Sequence, residues 1–173
     1  METTENKLTP YQSIFFNKLR NYLDTKLYFY GSIQRKDYFP GLSDIDVDIF
    51  TSNENSIISK LITFLNVKRY QFKKIIWKLD GSPNLVNGYK IMYIEPNGEL
   101  TVEFSIYNEK DKNAILNEHL SKKDLPIHIT ALLVILKFLY YKLHVISHDY
   151  YAATKNFILS AVIGRNKDYF VKL

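Results

Sequence analysis

One short segment constrains this chain more than any other: residues 44–49 read Asp-Ile-Asp-Val-Asp-Ile, a strict alternation of acidic and aliphatic side chains. A period of two is typical of a β-strand that buries one face, because successive side chains of a strand point to opposite sides. The aliphatic residues therefore face a core. Asp44, Asp46 and Asp48 share the other face, with neighbouring positions roughly 6.6–6.8 Å apart.

Carboxylates that lie this close repel one another, and burial of such a cluster would raise their pKa values. A bound divalent cation removes the conflict, and aspartate oxygens are the hard ligands that Mg²⁺ prefers. Mg²⁺ usually takes one or two protein carboxylates and completes its shell with waters and substrate phosphates. The segment therefore predicts half of a metal–phosphate site.

Two other segments carry groups that fit such a site. Gly31 and Ser32 end a predicted strand over 26–30, where the glycine lets the backbone approach a phosphate and the serine offers a hydroxyl. In a predicted strand over 100–107, Glu103 shares the polar face with Thr101 and Ser105. A carboxylate placed between small hydroxyl residues is suited to complete a metal triad.

Together these segments resemble the signature of the polymerase-beta-like nucleotidyltransferase superfamily. In that signature a Gly-Ser pair is followed by an Asp-x-Asp/Glu strand and later by a strand with a third acid. Here the elements are Gly31-Ser32, residues 44–47 (Asp-Ile-Asp-Val) and residues 102–104 (Val-Glu-Phe). Their spacing is most similar to that of the archaeal tRNA CCA-adding enzymes and the 2′-5′ oligoadenylate synthetase group, and the match covers about residues 28–107.

The resemblance implies transfer of a nucleoside monophosphate from an NTP, ATP among them, to an acceptor hydroxyl. Asp44, Asp46 and Glu103 would be the catalytic acids and would hold two Mg²⁺ or Mn²⁺ ions. Gly31 and Ser32 would bind the β- and γ-phosphates, and Glu103 would also help to deprotonate the acceptor. Two such ions stabilise the attacking and the leaving oxygen of an in-line displacement.

Other residues of the pattern leave alternatives open. Because the pattern needs two acids on the first strand, we expect Asp48 to lie at the surface or to support the ligands. Glu95 rivals Glu103 for the third position. Lys36-Asp37 stand where relatives with this spacing often have Gly-Thr.

Lys137, inside a predicted apolar helix, resembles the lysine with which poly(A)- and uridylyl-transferases reach the triphosphate. The alternative is that its side chain extends along the helix surface to water.

Periodicity and turn signals predict an α+β fold with a mixed sheet, helices on one face, and a small helical part after it. The resemblance implies that this sheet is of the nucleotidyltransferase type. We place the catalytic core at 1–107 and the helical part at 108–173, packed on the sheet or beside a cleft. The predicted helices are 10–25, 53–65, 108–120, 124–143 and 149–163, the last ended by Gly164. The predicted strands are 26–30, 44–51, 70–79, 89–95 and 100–107, with a turn at 81–84.

Composition excludes several classes of function. Without cysteine there is no disulfide framework, thiolate metal site or thiol nucleophile. The apolar stretch 127–146 contains Lys and His and is too short in its uncharged part to span a membrane, and the polar N-terminus is no signal peptide. We therefore expect an intracellular, cytoplasmic protein without a membrane partner.

The acceptor stays open at this point. A formal charge of +5 is compatible with RNA or DNA, and a basic run with interleaved aromatic residues offers either a solvated face or a nucleic-acid surface. That run comprises Lys68, Arg69, Tyr70, Phe72, Lys73, Lys74, Trp77 and Lys78. A nucleic-acid 3′-hydroxyl is the favoured acceptor. Without the large additional domains of the tRNA enzymes and poly(A) polymerases, we expect it to need either a protein partner or a minimal nucleic-acid contact surface of its own. Alternatives are a small-molecule or protein hydroxyl, a compact repair DNA polymerase, and an inactive binding module.

Overall fold

The computed structural model describes residues 2–79 and 85–163, and within them the chain forms five strands and five helices. The strands are β1 Tyr28–Tyr30, β2 Ile45–Thr51, β3 Lys73–Lys78, β4 Leu85–Ile94 and β5 Thr101–Asn108. The helices are α1 Pro10–Leu23, α2 Glu54–Leu65, α3 Lys112–Ser121, α4 Ile127–Tyr141 and α5 His148–Ile163. The α+β class and the mixed sheet predicted from the sequence are confirmed. The predicted turn at 81–84 and the helix end at Gly164 lie outside the described residues.

The sheet has the order β1-β2-β5-β4-β3 in the described part of the chain. β2 and β5 run parallel, and the other neighbouring strands run antiparallel. The parallel pair lies at the centre and sets Asp46 directly beside Glu103. Segments separated by more than fifty residues of sequence thus supply adjacent acids.

One face of the sheet is covered by α1 and α2. Thr9 caps α1 through a capping box with Gln12, and Pro10 occupies the first turn. Asn53 caps α2 by accepting a hydrogen bond from the Ser56 N–H. The apolar sides of both helices pack on fully buried strand residues, which are Ile45, Val47, Ile49, Val102, Phe104 and Ile106. The predicted alternation of β2 is therefore confirmed.

The opposite face is covered at one end only. There α3 buries Ile115 against Tyr28, Phe50 and Tyr107. The other end of this face carries the acids and faces the pair formed by α4 and α5, where Tyr140 stacks on Tyr151 with ring centroids 4.3 Å apart. No helix in the two described segments is long and apolar enough to cross a membrane. The division of the chain at residue 107 stays a prediction.

Candidate active site

The centre of the candidate site is the acid pair on the two parallel strands. Asp46 of β2 and Glu103 of β5 are direct neighbours in the sheet register, and adjacent strands are about 4.8 Å apart. Both side chains are half-buried on the face opposite α1 and α2. Asp44 is also half-buried and immediately precedes β2. The structure thus brings the three predicted acids to one end of one sheet face.

Gly31 lies against the Asp46 carboxylate. β1 pairs Tyr30 with Asp46, and the chain then turns sharply through Gly31, whose φ is +68°. A Cβ atom added at Gly31 would lie 1.9 Å from Asp46 Oδ2. Only glycine fits here, both because of the left-handed conformation and because of the contact.

Ser32 is the second residue of the short 3₁₀ turn Gly31–Gln34. Its side chain is buried, and its hydroxyl has no hydrogen-bond partner among the described residues. A buried polar atom without a partner is uncommon in proteins and calls for an explanation such as an ion or a ligand. The predicted role of Gly31 and Ser32 in phosphate binding stays a prediction, and it supplies such an explanation.

The electrostatic surroundings of the Asp46 carboxylate favour the binding of a cation. Burial raises the pKa of Asp46 well above its ordinary value, and the neighbouring Asp44 and Glu103 raise it further. Lys155 and Lys90 oppose this rise without cancelling it. Half-buried carboxylates on rigid strands form the hard oxygen donor set that a divalent cation prefers. Within the described residues no three acidic or histidine side chains already enclose an ion-sized space.

Glu103 is held by two partners that the sequence did not reveal. Lys90 of β4 forms an ion pair with Glu103 at 2.8 Å between Nζ and Oε1. The Tyr30 hydroxyl donates to the same oxygen at 3.3 Å and lies 3.3 Å from Ser105 Oγ. Both partners follow from the register, because Lys90 is opposite Ser105 and Tyr30 is opposite Asp46.

Asp48 is not at the surface, so that part of the expectation was wrong. Its side chain is fully buried, and Oδ2 lies 2.8 Å from Nε2 of His119, a residue of α3. The His119 ring stacks on Tyr30 with centroids 4.1 Å apart. Burial raises the pKa of Asp48, and the His119 contact opposes that rise. Asp48 thus connects α3 to the strand that carries Asp46.

Lys137 is buried rather than extended to water, so the surface alternative was wrong. The side chain is 1% exposed, and Nζ lies 3.0 Å from Asp37 Oδ2 and donates to the Asp37 carbonyl at 2.8 Å. Arg35 binds the other oxygen of the same carboxylate at 2.8 Å. Burial alone would raise the pKa of Asp37, but Arg35 and Lys137 together lower it. The predicted phosphate role of Lys137 stays a prediction.

Glu95 does not join the acid cluster. Its carboxylate accepts a hydrogen bond from the Tyr11 hydroxyl of α1. α1 packs on the face of the sheet opposite Asp46 and Glu103. Glu95 is thus excluded as the third acid of the site, because it lies on the other side of the sheet.

A cleft of about 370 Å³ opens beside Asp44, between the sheet and the α4–α5 pair. Met92 and Ile94 form the wall on the sheet side, and Lys155 of α5 lies among the residues on the other side. The aromatic lining consists of Tyr140, Tyr141 and Tyr151. Sequence reasoning missed this lining, because no local pattern indicates that α5 folds back toward Asp44.

Residues 13–123 match the protein family described as a nucleotidyltransferase domain. No curated protein matches the sequence. Among solved structures, a cytoplasmic RNA terminal U-transferase is 15% identical, with a TM-score of 0.40, over 83% of this chain and 44% of that one. Cid1 in complex with the UTP analog UMPNPP is 15% identical, with a TM-score of 0.39, over 80% of this chain and 43% of that one. The chain spans less than half the length of these two structures.

Proposed function

The chain belongs to the nucleotidyltransferase domain family, and from this premise we propose that it transfers a nucleoside monophosphate from an NTP to a nucleic-acid 3′-hydroxyl. The observation that carries the proposal is the arrangement around Asp46. Asp46 lies beside Glu103 on parallel strands and against the backbone of Gly31, next to a buried serine hydroxyl. This arrangement combines acids with a glycine turn and a buried serine hydroxyl that has no partner among the described residues.

The donor set fits a divalent metal ion. Asp44, Asp46 and Glu103 are the residues that would hold Mg²⁺ or Mn²⁺, because they supply carboxylate oxygens, and burial together with Asp44 and Glu103 raises the pKa of Asp46, which a bound cation would counteract. When bound, such ions polarise the phosphoryl oxygens and lower the pKa of the acceptor hydroxyl. The protein contributes the fixed positions of these acids, since both strands are anchored by fully buried residues on their other face.

The chemical step is an in-line displacement at the α-phosphorus. The acceptor oxygen forms a new bond to this phosphorus, and the bond to the oxygen that bridges to the β-phosphate breaks. Pyrophosphate leaves, and the acceptor proton passes to the carboxylate of Glu103. Lys90 and Tyr30 fix Oε1 of that carboxylate, so the side chain is oriented before the acceptor arrives.

The cleft is the proposed nucleotide site. Its volume of about 370 Å³ lies within the roughly 300–1,000 Å³ typical of small-molecule sites. Lys155 supplies positive charge at the wall opposite the sheet, and its charge acts on Asp46. Tyr140 and Tyr151 offer aromatic surface to a base. Gly31 and Ser32 would then receive the β- and γ-phosphates.

A transfer assay with Asp46→Asn tests this function. The protein is incubated with α-labelled NTPs or dNTPs, Mg²⁺ or Mn²⁺, and RNA, DNA and lysate acceptors. The matched control is Asp24→Asn, an exposed acid at the end of α1 with φ of +53°, a conformation that asparagine tolerates. We expect label on an oligonucleotide with wild type and the control but not with Asp46→Asn.

Other outcomes of this assay contradict the proposal in part or as a whole. Label on a protein or small molecule would support transfer of a nucleoside monophosphate but contradict a nucleic-acid acceptor. No transfer to any acceptor, combined with NTP binding that Asp46→Asn leaves unchanged, would identify a binding module instead. Incorporation that requires a template strand would identify a DNA polymerase.

A further inference from the structure

The positive charge of this protein is concentrated in one stretch. Residues 55–79 contain six Lys and Arg and no Asp or Glu, whereas the rest of the chain carries 17 Lys and Arg against 18 Asp and Glu. The formal charge of +5 therefore comes from this stretch alone. Its last five cations are all exposed, and we call them the basic edge: Lys68, Arg69, Lys73, Lys74 and Lys78.

The basic edge lies on the outermost strand of the described sheet and the turn that leads into it. β3 pairs only with β4 in this part of the chain, and Lys73 is its first residue. Lysines on such a strand keep sheets from pairing with each other, which is the simplest reason for their presence. That reason requires charge alone, and it does not account for two further features.

The first feature is the direction of the charge. Lys73 is the direct partner of Lys90, and Lys90 is the direct partner of Ser105, so the three side chains share one face. This is the face that carries Glu103, two residues from Ser105. Lys73 therefore lies only two strand spacings, roughly 10 Å, from the strand of Glu103. Lys73 and Lys90 thus lie in line from the edge of the sheet toward Glu103, whereas Lys74 and Lys78 alternate to the other face of β3.

The second feature is Tyr70, which is 77% exposed in the 3₁₀ turn Arg69–Gln71. The neighbouring aromatic residues serve the interior: Phe72 is buried, and Trp77 packs near Tyr107 and His119. An exposed ring among cations is the combination with which proteins bind single-stranded nucleic acids, because lysines meet phosphates and a base stacks on the ring.

We propose that the basic edge binds the phosphodiester backbone of a single-stranded nucleic acid, and that Lys73 directs the 3′ end across β4 to Glu103. The inference rests on the proposed function for the role of the strand as acceptor. Binding itself requires no turnover and is measured separately. The approach from β3 leaves the cleft on the α4–α5 side to the nucleotide, so donor and acceptor reach the acids from different sides.

Fluorescence anisotropy with labelled single-stranded RNA and DNA of about 15 nucleotides, in a salt series without NTP, tests the binding. The variant is Lys68→Gln/Lys73→Gln/Lys74→Gln. The matched control, Lys7→Gln/Lys18→Gln/Lys110→Gln, removes the same charge from exposed positions elsewhere. Each lost phosphate contact lowers the slope of log K against log salt by about 0.7, so we expect a decrease of about 2 and at least about tenfold weaker binding at low salt.

Tyr70→Ala separates stacking from charge. We expect the affinity for the same oligonucleotides to fall by roughly fivefold or more, with an unchanged salt slope, because stacking involves no counterion release. Equal affinity for RNA and DNA would support backbone contacts alone. A preference for RNA would support additional contacts to the 2′-hydroxyl.

Three results would overturn the inference: unchanged binding by the triple variant, an equal loss in the control, or a preference for duplex over single strand. Repeating the binding series on Asp46→Asn protein keeps the two proposals apart. If binding depends on the basic edge but wild type transfers no label, the nucleic-acid surface is supported and the transferase function is contradicted. If wild type transfers label to a small molecule and binding does not depend on the basic edge, nucleotide transfer is supported and the nucleic-acid surface is contradicted.

Discussion

The two faces of β2 come from the same seven residues and do opposite things. On one face Ile45, Val47 and Ile49 are fully buried against α1 and α2, where they stabilise the fold. On the other face Asp46 and Asp48 lie in surroundings that raise their pKa values, so their charged forms destabilise it. The apolar face thus stabilises the sheet against the energetic penalty of the acidic face.

The largest effect on stability is expected on the apolar face. Phe104→Ala removes a fully buried ring next to Glu103 in sequence but on the other side of the sheet. The free energy of unfolding should fall by about 3–5 kcal/mol, measured by urea denaturation. The transfer rate per folded molecule should stay within about twofold at low temperature. A rate that falls as steeply as the stability would show that the two faces are not separable.

A comparable loss of stability is expected at Lys137. Lys137→Met leaves the buried Asp37 with Arg35 alone, and removing one partner of a buried ion pair typically costs about 3–5 kcal/mol. If Lys137 also binds phosphate as predicted, the KM for NTP should rise at least about tenfold at a temperature where the variant is folded. Reduced stability with an unchanged KM would restrict Lys137 to holding the loop before Asp44.

A large effect on catalysis with a small loss of stability is expected at Gly31. Gly31→Ala forces a Cβ atom into the Asp46 carboxylate, and a displacement of about 1 Å can reduce a rate about 100-fold. Gly98→Ala is the matched control, since Gly98 has φ of +75° but a methyl group added there would meet no atom of the described residues within 4 Å. Both variants should lose about 1–2 kcal/mol of stability, and only Gly31→Ala should lose transfer. Equal transfer rates in the two variants would contradict a role of the Gly31 turn in the active site.

Much of this arrangement could be predicted from local sequence patterns. The alternation at 44–49 predicted β2 and its buried face, and Thr9 with Pro10 predicted the start of α1. Both signals lie within a few residues of the structure that they specify, because the period of a strand and the cap of a helix are local properties.

The contacts that could not be predicted from the sequence depend on packing between distant segments of the chain. Lys90 and Tyr30 reach Glu103 only through the register of four strands, and His119 reaches Asp48 only because α3 packs on the acidic face. Alternation showed which face Asp48 occupies but could not show that a helix covers that end of it. The helical part was expected on the sheet or beside a cleft, but local patterns did not indicate which residues of α4 and α5 line that cleft.

The smallest effect is a dependence of stability on pH. The pKa of Asp46 is raised in the folded chain by burial and by Asp44 and Glu103, so the folded chain retains this proton to higher pH than the unfolded chain. The free energy of unfolding should therefore fall as pH rises from the ordinary aspartate pKa through the raised one. Thermal unfolding of wild type and Asp46→Asn across this range should give a shallower decline in the variant. Parallel curves would contradict the assignment of this dependence to Asp46.

The most direct test measures stability and transfer on the same preparation of Asp46→Asn at pH 7. Without added metal ion we expect a variant that is more stable than wild type, because it lacks the carboxyl group whose pKa is raised by burial and by Asp44 and Glu103, and in the transfer assay we expect no label because a catalytic acid is lost. The Asp24→Asn control should match wild type in both measurements. An Asp46→Asn protein that is less stable than wild type, or one that still transfers nucleotide, would contradict the claim that the acidic face serves chemistry at the expense of the fold.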